Sequence, residues 1–154
     1  YQCVRRFLKD VIMAEGKKQV SVLVVDDDQV HRYMLCSMLA EWGYRTVEAD
    51  DGTTAVTAVK NHSYDAVLMD IRMARMDGHE AFLQIQTIAP ALPVILMTAY
   101  STVENAVETI QQGAHDYLTK PLDFDRYALH WSGRLTITRL FQKNSRLRTI
   151  NLIW

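Results

Sequence analysis

The segment "VSVLVVDDD", residues 20–28, constrains this chain more than any other. A continuous apolar, β-branched run of that length suits a strand buried on both faces, as in a parallel sheet covered by helices. It ends on three carboxylates in succession, Asp26, Asp27 and Asp28. The pattern recurs at "AVLM", 66–69, which ends on Asp70. An isolated charge at the end of a buried strand is strongly unfavourable unless something compensates it. Either each of these residues caps a helix or meets solvent, or they sit among charges placed to use them.

Between such runs the period changes. Val30, Met34, Leu35, Met38, Leu39 and Trp42 recur at helical spacing, and Gly43 stops the helix. "YRTVEA" (44–49) reads as a short strand, and "DDGTTAVTAVKNH" (50–62) as a turn and a helix. After the strand at 66–69 come a loop through Gly78 and a helix from about His79 to Ile88. Pro90 and Pro93 bracket a turn before the strand "VILMTA" (94–99). Val103, Ala106, Val107 and Ile110 mark another helix, closed by Gly113; "DYLTK" (116–120) is a fifth strand, and a long helical pattern begins near Asp123. Five strands alternating with five helices predict an α/β fold with right-handed crossovers and a parallel sheet covered on both faces. In such sheets a site forms beyond the carboxyl ends of the strands.

At 154 residues the chain suits one domain with a proper core. No run approaches the ~18 apolar residues of a membrane span, and Arg5, Arg6, Lys9 and Asp10 break up the apolar residues that a signal peptide would need. Cys3 and Cys36 have neither metal-like spacing nor a disulfide framework, which fits a reducing cytoplasm. Residues 1–18 read as an N-terminal extension, with Met13 a candidate natural start and the first twelve residues foreign or poorly ordered. The net charge of −1 hides an asymmetry: Ser21 to Asp125 carries 16 acidic and 6 basic side chains, whereas residues 126–154 carry six basic and no acidic ones. The basic ends read as solvated faces, since no aromatic interleaving or helix-turn-helix pattern supports nucleic-acid contact. The specific chemistry belongs to the acidic middle.

The predicted strand ends carry Asp26, Asp27 and Asp28 on the first, Asp50 and Asp51 on the second, Asp70 on the third, Thr98 on the fourth and Lys120 with Pro121 on the fifth. Crowded carboxylates repel and call for a cation. An all-oxygen set suits a hard ion such as Mg²⁺, which keeps waters and shares its shell with phosphate. A metal, an ammonium and a hydroxyl around one carboxylate form a clamp for a transferring phosphoryl group, and aspartyl phosphate is established chemistry. Singly, each residue has a plainer reading. Asp28 caps a helix, Thr98 bonds at a strand end, Lys120 is a surface lysine, Asp77 belongs to a turn, and Asp123 and Asp125 are first-turn acids. The combination, in chain order, is what points to one reaction.

"VLVVDDD", "DAVLMDIRMARMDG", "PVILMTAY" and "GAHDYLTKPLDFD" together resemble the receiver domain of bacterial two-component response regulators, over residues 19–130. The resemblance implies a flavodoxin-like sheet of order 2-1-3-4-5, with the fifth helix extended into a linker. It implies Asp70 as phosphoacceptor, with Asp27 and Asp70 as direct Mg²⁺ ligands, Asp26 acting through water and the backbone carbonyl of Arg72 as a further ligand. Thr98 and Tyr117 take the switch positions and Lys120 that of the site lysine, with a cis bond to Pro121. A bacterial cytoplasmic location follows, with a sensor histidine kinase as partner and no catalysis beyond the domain's own phosphorylation and dephosphorylation. A homodimer would form through the face of helix 4, strand 5 and helix 5, or through the linker. The motifs are most similar to the nitrogen-regulator class that controls sigma-54-dependent transcription. That class often has Pro-Gly where this chain has Ala74-Arg75, so a rigid turn is replaced and a charge added.

Residues 131–154 read as the linker toward an output module, with no Gly-rich ATPase motif or DNA-binding helix, hence no direct nucleic-acid binding by this stretch. Ile137, Asn144 and Asn151, with Leu140, Leu147 and Trp154, trace a heptad seam that Gly133 interrupts. Two rivals remain. Asp26-Asp27-Asp28-Gln29-Val30 also fits the nucleophile motif of haloacid-dehalogenase-type phosphohydrolases, with Asp26 as nucleophile, but that family needs a further acidic strand end after Lys120 and leaves Asp70 without a role. A pseudo-receiver that never takes phosphate is opposed by the intact set Asp26, Asp27, Asp70, Thr98 and Lys120.

Overall fold

A computed structural model describes residues 19–99, 103–120 and 122. The chain runs β1 (Ser21–Val25), α1 (Gln29–Glu41), β2 (Arg45–Ala49), α2 (Gly52–Asn61), β3 (Ala66–Asp70), α3 (Gly78–Ile88), β4 (Val94–Thr98), α4 (Val103–Gln111) and β5 (Asp116–Thr119). The strands form one parallel sheet in the order β2-β1-β3-β4-β5, as the resemblance implies. The expected fifth helix and its linker extension, the heptad seam, the extension at 1–18 and the bond to Pro121 all lie outside the described residues.

Side chains alternate across a strand with a period of two, and the sheet sorts them into two cores. Leu23, Val25, Val67, Met69, Val94 and Leu96 face the helices α2 and α3, where Ala55, Val56, Val59, Phe82 and Ile85 meet them. Val22, Val24, Ala66, Leu68, Ile95 and Met97 face α1 through Leu35, Cys36 and Leu39, joined by Leu118 of β5. Burial on both faces is why β1, β3 and β4 read as unbroken apolar runs.

Two helical stripes differ from the apolar spacing in the sequence. On α1 the buried face runs through Leu35, Cys36 and Leu39, while Val30 is 78% and Met34 43% exposed. Cys36 behaves here as a small buried apolar group. On α4 Val107 and Ile110 are exposed and Thr109 is buried. Helical spacing marks where apolar residues recur, but the docking angle of the helix decides which edge of the stripe is covered. Gly43, at φ +86°, ends α1 in the left-handed region that favours glycine.

Candidate functional site

Strand parity assembles the site. Asp70 continues the parity of Ala66 and Leu68, and Lys120 that of Leu118, so both fall on the α1 side of the sheet. The Lys120 ammonium donates to Oδ2 of Asp70 at 3.0 Å and to Oδ2 of Asp26 at 3.3 Å. Asp26 is wholly buried, Asp70 nearly so, and Asp27 is exposed. One carboxylate oxygen from each of Asp26, Asp27 and Asp70 lies within 4.8 Å of the others. Three carboxylates against one ammonium leave the cluster with excess negative charge. Its donors are all oxygen, so the residues present fit a small hard divalent cation such as Mg²⁺.

Asp26 is the most supported of the three. Its Oδ1 accepts the backbone N–H of Asp28 at 2.9 Å, its Oδ2 hydrogen-bonds Nδ1 of His31, and its backbone carbonyl accepts Nη1 of Arg32 at 2.6 Å. Burial alone would raise its pKa. The hydrogen bonds from His31 and from the Asp28 backbone, with the Lys120 charge, outweigh that and hold the carboxyl below its ordinary value. Asp70 goes the other way: burial pushes its carboxyl up, and Lys120 offsets this only in part, with Asp26 adding like-charge repulsion. Lys120 is itself raised, because the bonds and charges of Asp70 and Asp26 exceed the effect of its own burial.

Backbone contacts fix the strand ends. Asp26 N–H donates to the Ala49 carbonyl, Ile71 N–H to Met97 and Lys120 N–H to Thr98. Gly78 is set by close approach, since a Cβ there would stand 2.1 Å from the Asp70 carbonyl oxygen. Asp77, expected in a turn, is the N-cap of α3, its carboxylate accepting the Glu80 N–H. Asp28 caps α1 through the N–H groups of Val30 and His31.

Thr98 lies buried at the end of β4, beside Thr119 of β5. It continues the parity of Val94 and Leu96, on the α2–α3 side. Tyr117 packs, half-buried, against that same core. By strand position the two expected switch residues share a face, and Thr98 stands at the same carboxyl edge as Asp26, Asp70 and Lys120. Arg72 is exposed in the loop after β3, and its backbone N–H donates to the Asp70 carboxylate. The sequence reading did not single out His31 or Arg32. Their signal is position, in the first turn of the helix that follows the acidic run, where side chains reach back over the strand end.

A family model described as the response regulator receiver domain matches residues 22–130. The transcriptional regulatory protein ZraR of Klebsiella oxytoca is 50% identical over 123 residues, covering 80% of this chain and 28% of that protein. A crystal structure of NtrX from Brucella abortus matches with TM-score 0.77 at 31% identity, over 85% of this chain and 30% of that one. The solution structure of the beryllofluoride-activated NtrC4 receiver domain dimer matches with TM-score 0.71 at 29% identity, over 77% of this chain and 98% of that one. This chain therefore spans little more than a quarter of the length of the ZraR relative.

Proposed function

Since the chain belongs to the response regulator receiver family of two-component signalling, we propose that Asp70 accepts a phosphoryl group from a sensor histidine kinase. The observation that carries this reading is the hold of Lys120 on two buried carboxylates, Asp70 and Asp26, with Asp27 in the same cluster. The family match does not favour the phosphohydrolase reading. That reading made Asp26 the nucleophile, yet Asp26 has its oxygens engaged by His31, Asp28 and Lys120.

A carboxylate oxygen of Asp70 attacks phosphorus and forms the acyl phosphate. The bond from phosphorus to the kinase imidazole nitrogen breaks, and its electron pair leaves with the imidazole, which takes up a proton. Asp27 and Asp70 would hold Mg²⁺ directly, Asp26 through water and Arg72 through its backbone carbonyl, and the ion would supply positive charge against the phosphoryl oxygens. Lys120 keeps a fixed ammonium at the same place. The Thr98 hydroxyl turns to donate to a phosphoryl oxygen, and the Tyr117 ring moves into the space this leaves. The face of α4 and β5 changes shape in consequence.

The exposed Val107 and Ile110 of α4 support that face as the place where a second copy docks. Residues 19–130 form the receiver and 131–154 a linker, serving a bacterial cytoplasmic regulator with a sigma-54-type transcriptional output. Among the described residues no helix is long and apolar enough to cross a membrane. DNA contact belongs to the output module and not to this stretch.

The test is incubation with Mg²⁺ and acetyl phosphate, borohydride trapping of the acyl phosphate, and location of the label by mass spectrometry. Label on Asp70, lost in Asp70→Asn and without Mg²⁺, is the expected result. Label on Asp26 would return the hydrolase reading, and no label at all would return the pseudo-receiver.

A further inference from the structure

Asp26 and Asp27 are neighbours held in different ways. Asp26 is buried under His31, Lys120 and the Asp28 N–H. Asp27 is exposed, and its Oδ2 accepts the backbone N–H of Ala74 at 3.2 Å, across 47 residues of chain. The next residue, Arg75, sends Nη1 to Oδ2 of Asp51 at 3.1 Å. Asp51 is nearly buried at the start of α2 and is fixed there by its capping box with Thr54. The loop after β3 is thereby tied at two successive residues, to the end of β1 and to the end of β2.

We propose that Ala74 and Arg75 position the metal site, the Ala74 N–H orienting the Asp27 carboxylate and the Arg75 guanidinium anchoring the loop that presents it. The proposal rests on the receiver reading above. It follows from the same departure that the sequence displays, Ala74-Arg75 in place of Pro-Gly. A proline at 74 has no N–H to give, and a glycine at 75 has no side chain to reach Asp51. In this chain two polar contacts hold the turn.

An exposed ligand carboxylate otherwise samples several rotamers, and each ion bound must select one. Hydrogen bonds to ligating carboxylates are worth roughly 10- to 100-fold in metal affinity. Arg75 is itself 77% exposed, so its pair adds little to global stability. Its contribution is to the place of the loop.

The test is Mg²⁺ titration by isothermal calorimetry on the chain and four variants. Replacing Ala74 by lactic acid turns the amide into an ester and deletes the N–H; Ala74→Pro deletes it and puts a ring carbon in its place, and Ala74→Ser keeps it. The ester and proline forms should bind Mg²⁺ about 10-fold more weakly, with the serine form unchanged. Arg75→Gln should lose roughly 2- to 5-fold, the size of an exposed ion pair, and the loss should shrink at high salt. Equal or tighter binding in the ester form would overturn the proposal. A chain that itself binds no Mg²⁺ would overturn the metal-site reading with it.

Discussion

Two acidic runs stand at the same level of this fold and meet different fates. After β2, Asp50 and Asp51 are absorbed into structure. Asp51 caps α2, exchanges hydrogen bonds with Thr54 and pairs with Arg75, while Asp50 accepts the Thr54 hydroxyl. After β1 the run is one residue longer, and Asp28 takes the capping duty. That releases Asp26 and Asp27, which join Asp70 from the neighbouring strand. A strand-end aspartate can thus join a carboxylate cluster when another residue satisfies the N–H groups of the next helix. The third aspartate of "DDD" is what makes the first two available.

The largest expected difference is in metal binding. Asp26→Asn should weaken Mg²⁺ by at least about 10-fold in calorimetry, whereas Asp51→Ala, which removes only the partner of Arg75, should lose roughly 2- to 5-fold. Equal losses in the two variants would erase the distinction drawn here. Thermal unfolding without metal reads the helix caps instead. Asp51→Ala and Asp28→Ala each lose an N-cap, worth about 0.5–2 kcal/mol, and a domain of this size shows roughly 2–4 °C per kcal/mol. Collapse of Mg²⁺ binding in Asp28→Ala would move Asp28 from cap to site.

The smallest effect is the most diagnostic, because its sign differs between Asp51 and Asp70. Hydrogen bonds from the Thr54 backbone hold Asp51 below its ordinary carboxyl range. A depressed group contributes stability above the unfolded value of about 3.9, lost as pH falls through the folded one. Asp51→Asn should therefore be less stable than the parent at neutral pH, with the gap closing in acid. Asp70 is raised by burial, so its charge opposes folding once pH exceeds the unfolded value. Asp70→Asn should be more stable than the metal-free parent at neutral pH, by a few degrees, and that gain should also close in acid. Midpoints measured from pH 3 to 7 check both signs.

Much of this was legible in the chain itself. Apolar runs such as 20–25 and 66–69 are strands because both faces are buried, and no amphipathic ambiguity arises there. Asp26, Asp70, Thr98 and Lys120 were placed together by topology alone, since parallel strands deliver their carboxyl ends to one edge. What the pattern could not supply was contact between elements. His31 on Asp26 depends on the tilt of α1, and Ala74 on Asp27 depends on a loop with no period to read. The exposure of Val30 and Met34 is a matter of the same tilt. Asp77 looked like a turn residue because a cap and a turn use the same side-chain chemistry; only the helix behind it tells them apart.

The parity of the strands has a consequence for how a signal would travel. Asp26, Asp70 and Lys120 meet at the carboxyl edge of the sheet, where β4 ends on Thr98, and Tyr117 packs against the α2–α3 core. Between them β4 and β5 run side by side, and the bond from Lys120 N–H to the Thr98 carbonyl joins their ends. Damage on the α1 side should change how readily the domain is charged, and damage around Tyr117 how the charged state is displayed.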